Sequence, residues 1–348
     1  MTVATTWRLD WPTSDGGRTG YAVIKAEPGH FRVDERLALA GLQTCGQVDT
    51  GSGEVPGQGE HLFIRVEKCG DNTEFVAREL ASLSGCKPHD IGLSGLKDRH
   101  AVTRQWFSVY RPGMASTDAL FITAVAARWS VLAVCRFQRK LRRGEHQDNR
   151  FDLVLTDLTG DVQRIEKSMV RLRDQGCPNY FGPQRFGWGG NNLAQAIRLR
   201  PGRQRGRKSR DGLYFSAARS WLFNEVLAER VSQGSWQDSM PGEPSESGPT
   251  GPLWGDGGTI ATDQQEQLER SVVSRHPELE AVFSQTRMKP ERRSLILTPD
   301  TLEWHWLNDS SLALTFTLMP GQFATSMLAD IFEIRDASVT GAGLAEET

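Results

Sequence analysis

The sequence predicts an α+β protein in which a mixed sheet-and-helix domain is interrupted by an inserted segment, and three observations predict it. Strand-like alternation dominates the first half. The middle changes to a basic glycine-rich stretch, a long helix and an acidic Pro/Gly/Ser-rich stretch. Alternation then returns near the C-terminus. A chain of 348 residues exceeds one ordinary compact core and suits one large domain or two of usual size. The borders are read at residues 1–178 for the first part of the main domain, 179–300 for the insertion and 301–348 for the C-terminal part.

Taken in order, Phe31 and Val33, then Leu62, Ile64 and Val66, then Trp106 to Tyr110, then Phe151, Leu153 and Leu155 mark strands. Between them Asp71 with Glu74 resembles a capping box, Val76, Leu80 and Leu83 form an apolar stripe, and Gly85 supplies a stop. A second helix runs from Asp161 to Gly176. Its Val162, Ile165, Met169 and Leu172 share a face, and Gly176-Cys177-Pro178 cannot readily continue it. A strong helix follows from Ser216 to about Val231, and the stretch QGSWQDSMPGEPSESGPTGPLWGDGG reads as a long surface loop. A further helical segment spans Thr262 to about Arg275. The last element is a β-hairpin, with Leu302, Trp304 and Trp306 on one arm, a turn at Asn308-Asp309-Ser310, and Leu312, Leu314, Phe316 and Leu318 on the other.

Hydrophobic residues make up 38% of the chain and charged residues 24%, the balance of a soluble globular protein. The start at Met1 lacks the succession of a signal peptide and no run approaches a membrane span, so a cytoplasmic protein without a membrane partner is expected. The five cysteines show no CxxC pair and no ligand spacing, so neither a disulfide framework nor a metal site is indicated. The net charge of -2 hides an uneven distribution. Residues 136–150 carry six basic against two acidic residues, residues 198–210 carry seven basic and none acidic, and residues 232–269 carry seven acidic and no Lys or Arg. A polyanion could bind one face of such a molecule, although each basic run could equally be a solvated loop.

There is no GxxxxGK[ST] loop, HExxH, GxSxG or strand-linked GxGxxG, so nothing points to a bound nucleotide, metal or other cofactor. What remains is Asp98 in the run GLSGLKDRH, a carboxylate between the cations Lys97 and Arg99. Those neighbours favour its ionised form, which suits nucleophilic attack or proton abstraction. A charged turn between two strands fits the same residues. The run CPNYFGPQRFG mixes aromatics with Asn179, Gln184 and Arg185. Tyr180 or Phe181 could stack a base, the amides could read its edge and the guanidinium could meet phosphate, while a tight loop with core aromatics fits equally. Asn149 and Phe151 would share a strand face and could hold one base, with Phe31 as a further wall. Glu35 is a formal second carboxylate for a glycosidase reading, which would leave the basic runs unexplained.

Seven segments, FRVDE, GLKDRHAVTRQW, NRF, CPNYFGPQRFG, SAARSWLFN, PTGPLWG and PGQFATSML, occur here in an order that resembles the TruD family of tRNA pseudouridine synthases over nearly the whole chain. The resemblance implies a circularly permuted pseudouridine-synthase catalytic fold, a mixed, mainly antiparallel sheet with helices, carrying an inserted TRUD domain. It implies Asp98 as the essential aspartate with Lys97 beside it, and a uridine pocket formed with Phe31, Asn149 and Phe151. Together with the run CPNYFGPQRFG and the segment PGQFATSML, the expected substrate contacts are Phe31, Lys97, Asn149, Phe151, Asn179, Tyr180, Gln184, Arg185 and Phe323. It implies tRNA as the partner of a monomer that needs no cofactor, with the uridine at position 13 of the D-arm as target. The alternative is a catalytically silent tRNA-binding protein or RNA chaperone on the same fold. Two positions depart from the family pattern: Asp148 where Gly commonly precedes the Asn, and Ala329 where a basic residue often follows FATS. Asp148 puts the local backbone geometry and phosphate contact in doubt.

Overall fold

The computed structural model describes residues 7–39, 42, 55–199, 209–284 and 286–340. Its strands in chain order are β1 (Gly20–Ile24), β2 (Phe31–Leu37), β3 (His61–Lys68), β4 (Ile91–Leu93), β5 (Val102–Tyr110), β6 (Ser130–Phe137), β7 (His146–Gly160), β8 (Cys177–Pro178), β9 (Thr250–Leu253), β10 (Glu291–Ser294), β11 (Ile296–Leu297), β12 (Asp300–Asn308), β13 (Ser311–Leu318) and β14 (Phe332–Asp336). The principal helices are α1 (Thr73–Ser84), α2 (Asp118–Ala126), α3 (Val162–Gln175), α4 (Asn191–Ile197), α5 (Ser209–Ser232) and α6 (Asp263–Val273). The α+β class expected from the sequence is what the chain adopts.

The chain divides into two compact units, one of residues 21–159, 299–321 and 334–348, the other of residues 1–20, 160–298 and 322–333. The second takes in almost all of the expected 179–300 segment. It also takes in α3 and two flanking stretches of chain.

In the first unit the sheet runs in the order β12-β13-β7-β2-β5-β3-β6, with β4 alongside β5. Only β2 with β5 is parallel among the neighbours on this path. Helices α1 and α2 cover one face, where Val76, Leu80, Phe121 and Val125 meet Leu62, Ile64, Phe107 and Val134. The opposite face buries Phe63, Trp106 and Ala133. Helix α1 begins one residue later than expected: Asn72, not Asp71, caps it by accepting the Phe75 amide at 2.7 Å. Asp71 instead accepts from the Trp129 indole at 2.8 Å. Gly85 ends the helix in the left-handed region. Helix α2 and strand β6 have no counterpart in the sequence reading. DALFITAVA and SVLAVCRF are apolar almost throughout, so neither shows a period.

The second unit is built on α5, whose Ala217, Trp221, Leu222, Phe223 and Val226 are all buried. The acidic stretch is not simply a surface loop. Thr250 to Leu253 forms β9 against β10, and Trp236 and Trp254 lie in the core. Two of its acids are internal: Glu243 accepts the Thr250 amide at 2.9 Å, and Glu269 takes both oxygens to Arg292 at 2.8 and 2.9 Å. Cys69, Cys86 and Cys177 are free thiols, whereas Cys135 is disulfide-bonded, which the scattered spacing did not signal. Residues 200–208, most of the second basic run, lie outside the described residues.

Candidate active site

The strand register brings the candidate residues of the first unit together. Residues directly opposite on antiparallel strands point to one face. Val33 pairs with Phe151 and Glu35 with Asn149 across β2 and β7, while Phe316 pairs with Phe151 and Leu318 with Asn149 across β13 and β7. One face therefore carries Phe31, Val33 and Glu35, Asn149 and Phe151, and Phe316. Phe151 stacks on Phe316 with ring centres 5.1 Å apart and meets Phe31 edge-on at 6.2 Å. The expected common direction of Asn149 and Phe151 is thus observed, with Phe316 as a wall that the sequence reading missed.

Asp98 stands over this face on the loop between β4 and β5, and the loop is fixed from beneath. The Arg99 carbonyl accepts from the Gly70 amide at 2.9 Å, the Lys97 amide donates to Thr73 Oγ1 at 2.8 Å, and Gln105 donates to the Gly95 carbonyl at 3.3 Å. Thr73 and Gln105 are buried and bonded to each other at 2.8 Å, so polar side chains anchor the loop on the sheet interior. Lys68 reaches the carbonyls of Asp71 at 2.7 Å and Asp98 at 3.4 Å, and burial pushes its ammonium down to about 8.

The cation that meets the carboxylate is Lys25, not the adjacent Lys97. Lys25 Nζ donates to Asp98 Oδ2 and, at 3.0 Å, to Asp336 Oδ2, while Asp98 Oδ1 accepts the His100 amide at 3.0 Å. The Lys25 side chain is 3% exposed and that of Asp98 33%, so the pair joins a desolvated cation to a carboxylate still open on one side. Burial alone would raise the Asp98 pKa. The hydrogen bonds and charge of Lys25 with the His100 amide overcome it and hold the carboxyl below its ordinary value. Burial likewise opposes the Lys25 charge, and its two carboxylate partners outweigh it to raise that pKa. Lys25 adopts a left-handed backbone with φ 55° immediately after β1, a conformation costly for a non-glycine residue. Its ammonium also lies 5.1 Å from the Phe31 ring centre, which links the carboxylate to the aromatic wall. No motif in YAVIKAEPGH signals this role.

Lys97 turns away from Asp98 and pairs with Glu35, whose side chain is fully buried. That contact commits the Lys97 ammonium to Glu35, so Glu35 is not a free second carboxylate. Gly95 permits the pair: a Cβ there would lie 3.0 Å from Lys97 Nζ and 3.3 Å from Glu35 Oε2. Glu35 Oε1 and Asn149 Oδ1, on facing strand positions, are buried acceptors with no partner among the described residues. Asp148 points to the opposite face and is neutralised by Arg36, so its departure from the family pattern adds no free negative charge to the strand.

The remaining candidates belong to the second unit. Asn179 is buried with its amide committed: Nδ2 donates to Ser294 O at 2.9 Å and Oδ1 accepts from Arg293 at 2.6 Å. Tyr180 is buried and stacks on Trp11 at 5.6 Å. Through these contacts Asn179 and Tyr180 shape the loop. Asn224 completes that loop, bonding both the amide and the carbonyl of Phe181 at 2.9 Å. Gln184 is exposed, Arg185 is bonded to Ser216, and Phe323 is 37% exposed beside Phe181 at 6.0 Å. Among the described residues no His, Cys, Asp or Glu cluster could hold a metal ion, and no helix is long and apolar enough to cross a membrane.

A sheet face with an aromatic wall, an unpaired amide acceptor and a carboxylate held by a buried lysine together make a carboxylate-centred candidate site. The family description tRNA pseudouridine synthase D (TruD) matches residues 12–193. The tRNA pseudouridine synthase D of Marinobacter nauticus is 53% identical over 343 residues, 96% of this chain and 97% of that one. The protein of the same description from Cellvibrio japonicus is 39% identical over 347 residues, 99% and 98% of the two chains. A crystal structure of a Methanosarcina mazei protein assigned to tRNA pseudouridine synthase D (TruD) superposes with a TM-score of 0.66 at 16% identity, covering 96% of this chain and 99% of that one, a likeness of fold. The chain belongs to the tRNA pseudouridine synthase D (TruD) family.

Proposed function

We propose that this protein is an enzyme that isomerises uridine to pseudouridine in tRNA, at position 13 of the D-arm, with Asp98 as the catalytic carboxylate. The single observation that carries the reading is the Lys25-Asp98 pair above the Phe31, Phe151 and Phe316 face. The reaction breaks the bond from N1 to C1′, turns the uracil while it is held, and joins C5 to C1′. The proton lost from C5 is balanced by one gained at N1, so no oxidant, metal or energy source enters the balance.

Each residue has a task that its surroundings suit. The target leaves its stack at a cost of a few kcal/mol, which aromatic contact and base-edge hydrogen bonds offset. Phe31 and Phe151 supply the apolar wall, and the unpartnered Asn149 Oδ1 suits the uracil N3–H donor. Lys25 keeps Asp98 ionised and aimed, and Lys97 with Glu35 braces the loop and strand. An ionised Asp98 can attack C1′, add to C6 or take a proton from the sugar, and the pair serves all three. Arg185 and Phe323 are proposed as further RNA contacts, with Asn179 and Tyr180 maintaining the loop that carries Arg185.

Pseudouridine mapping in tRNA incubated with wild-type protein and with Asp98→Asn tests the reading. Product at position 13 from the wild type and none from the variant is the expected result. Undiminished conversion by Asp98→Asn would remove Asp98 from the mechanism.

A further inference from the structure

The basic run 136–150 has more than one destination in the first unit. Arg136 is buried and forms a bidentate pair with Asp118 at 2.7 and 2.8 Å, and Arg139 pairs with Glu145 at 2.6 Å. Those two charges are neutralised. Lys140, Arg142 and Arg143 instead line a groove of about 830 Å³ whose other walls are α1, through Glu74, Ala77 and Arg78, and the segment Pro88 to Leu93. Arg78, Arg142 and Arg143 are exposed, and their guanidinium groups have no acidic partner among the described residues. Against four Lys and Arg side chains the groove presents one acid, Glu74. Its floor is apolar, made by Ala77, Ile91, Leu93 and Leu141.

The cationic turn is held rigidly. The Gly144 amide donates to the Ser94 carbonyl at 2.9 Å, the His146 amide to Ser94 Oγ at 2.7 Å, and the Leu141 amide to Ser108 Oγ at 2.9 Å. Ser94 opens the loop that carries Asp98, so the turn and the catalytic loop are tied at one residue. Gly92 lets them close: a Cβ there would lie 2.4 Å from Leu141 O and 2.9 Å from Lys140 Cγ.

We propose that this groove is an RNA-backbone site, in which one splayed nucleotide rests on the apolar floor while its flanking phosphates meet Arg78, Arg142 and Arg143. The proposal rests on the tRNA reading above. Unpaired guanidiniums match phosphate in charge and in their forked geometry, and an apolar floor beneath a cationic rim suits a base with its phosphodiester links. A solvated basic turn would need neither the floor nor the anchoring at Ser94.

The test is tRNA binding by the Asp98→Asn protein, with and without Arg78→Gln, Arg142→Gln and Arg143→Gln together, across a salt series. The expected result is about tenfold weaker binding and a fall of about 2 in the slope of log affinity against log salt, from three lost phosphate contacts to a single strand. The Lys replacements at the same three positions restore the salt slope and part of the affinity, because they return the charge without the fork. In the Asp98-intact protein, the triple Gln variant keeps its single-turnover rate at saturating tRNA within about twofold of wild type. Unchanged affinity and slope overturn the groove proposal, as does a loss of rate at saturation with binding intact. Absence of pseudouridine from wild-type incubations would instead overturn the reading of the activity, so the two failures are separable.

Discussion

At the scale of the residue, the Asp98 carboxylate is governed by a lysine 73 positions earlier in the chain. Burial would raise its pKa, but the Lys25 and His100 contacts outweigh burial and hold it below the ordinary carboxylate value. A group depressed in the fold gives its stabilising contribution above its unfolded pKa and loses it as pH falls through the folded value. No acid limb from Asp98 is therefore expected between about pH 5 and pH 7 in a single-turnover profile. An acid limb centred near pH 6 would contradict an ionised carboxylate of this kind. Lys25→Met leaves Asp98 facing Asp336 without a cation, which raises the Asp98 pKa. The expected result is a fall of roughly a hundredfold in the single-turnover rate, together with an acid limb displaced upward. Lys25→Arg should recover part of both. Asp98 was legible in the sequence through GLKDRH, and Lys25 was not, because a contact made by folding leaves no mark on local spacing.

At the scale of the element, β7 combines scaffold and site. Phe151 is 8% exposed between Phe31 and Phe316, so Phe151→Ala removes core packing as well as a pocket wall, at a cost of about 3–5 kcal/mol. Phe151→Leu separates the two roles: thermal unfolding should shift modestly while single-turnover turnover falls further than tRNA binding. Equal loss of binding and turnover would argue against a wall for one flipped base. The β4 segment makes a second prediction. Gly92→Ala forces a Cβ against the Leu141 carbonyl and should destabilise the protein by about 1–3 kcal/mol, read as a lower unfolding midpoint. The strands β2, β7 and β13 were legible because one face of each is buried and the alternation is clean, whereas β3 and β5 bury both faces and were legible from their aliphatic and aromatic residues. Helix α2 and strand β6 were not, since apolar residues on every side erase the period. The core-loop contacts of Asn179 and Tyr180 were not legible for a related reason: an amide and an aromatic in a Gly-rich loop look the same whether they face a ligand or complete a core.

At the scale of the whole molecule, a net charge of -2 conceals cations that are spent and cations that are free. Arg136 and Arg292 are consumed by buried acids, whereas Arg78, Arg142 and Arg143 are not. Charge counting along the sequence located the basic run but could not say which of its members were neutralised, because Asp118 lies 18 residues from Arg136. Binding of tRNA should accordingly weaken steeply with salt despite the near-neutral total, and a salt-insensitive affinity would contradict a phosphate-led interface.

The central claim, that Asp98 held by Lys25 converts one uridine of tRNA to pseudouridine, is tested most directly by mapping modified uridines after a single turnover with wild-type protein and Asp98→Asn. The expected result is stoichiometric pseudouridine at position 13 with the wild type and none with the variant, while both bind tRNA alike. Pseudouridine formed at the wild-type rate by Asp98→Asn would contradict it.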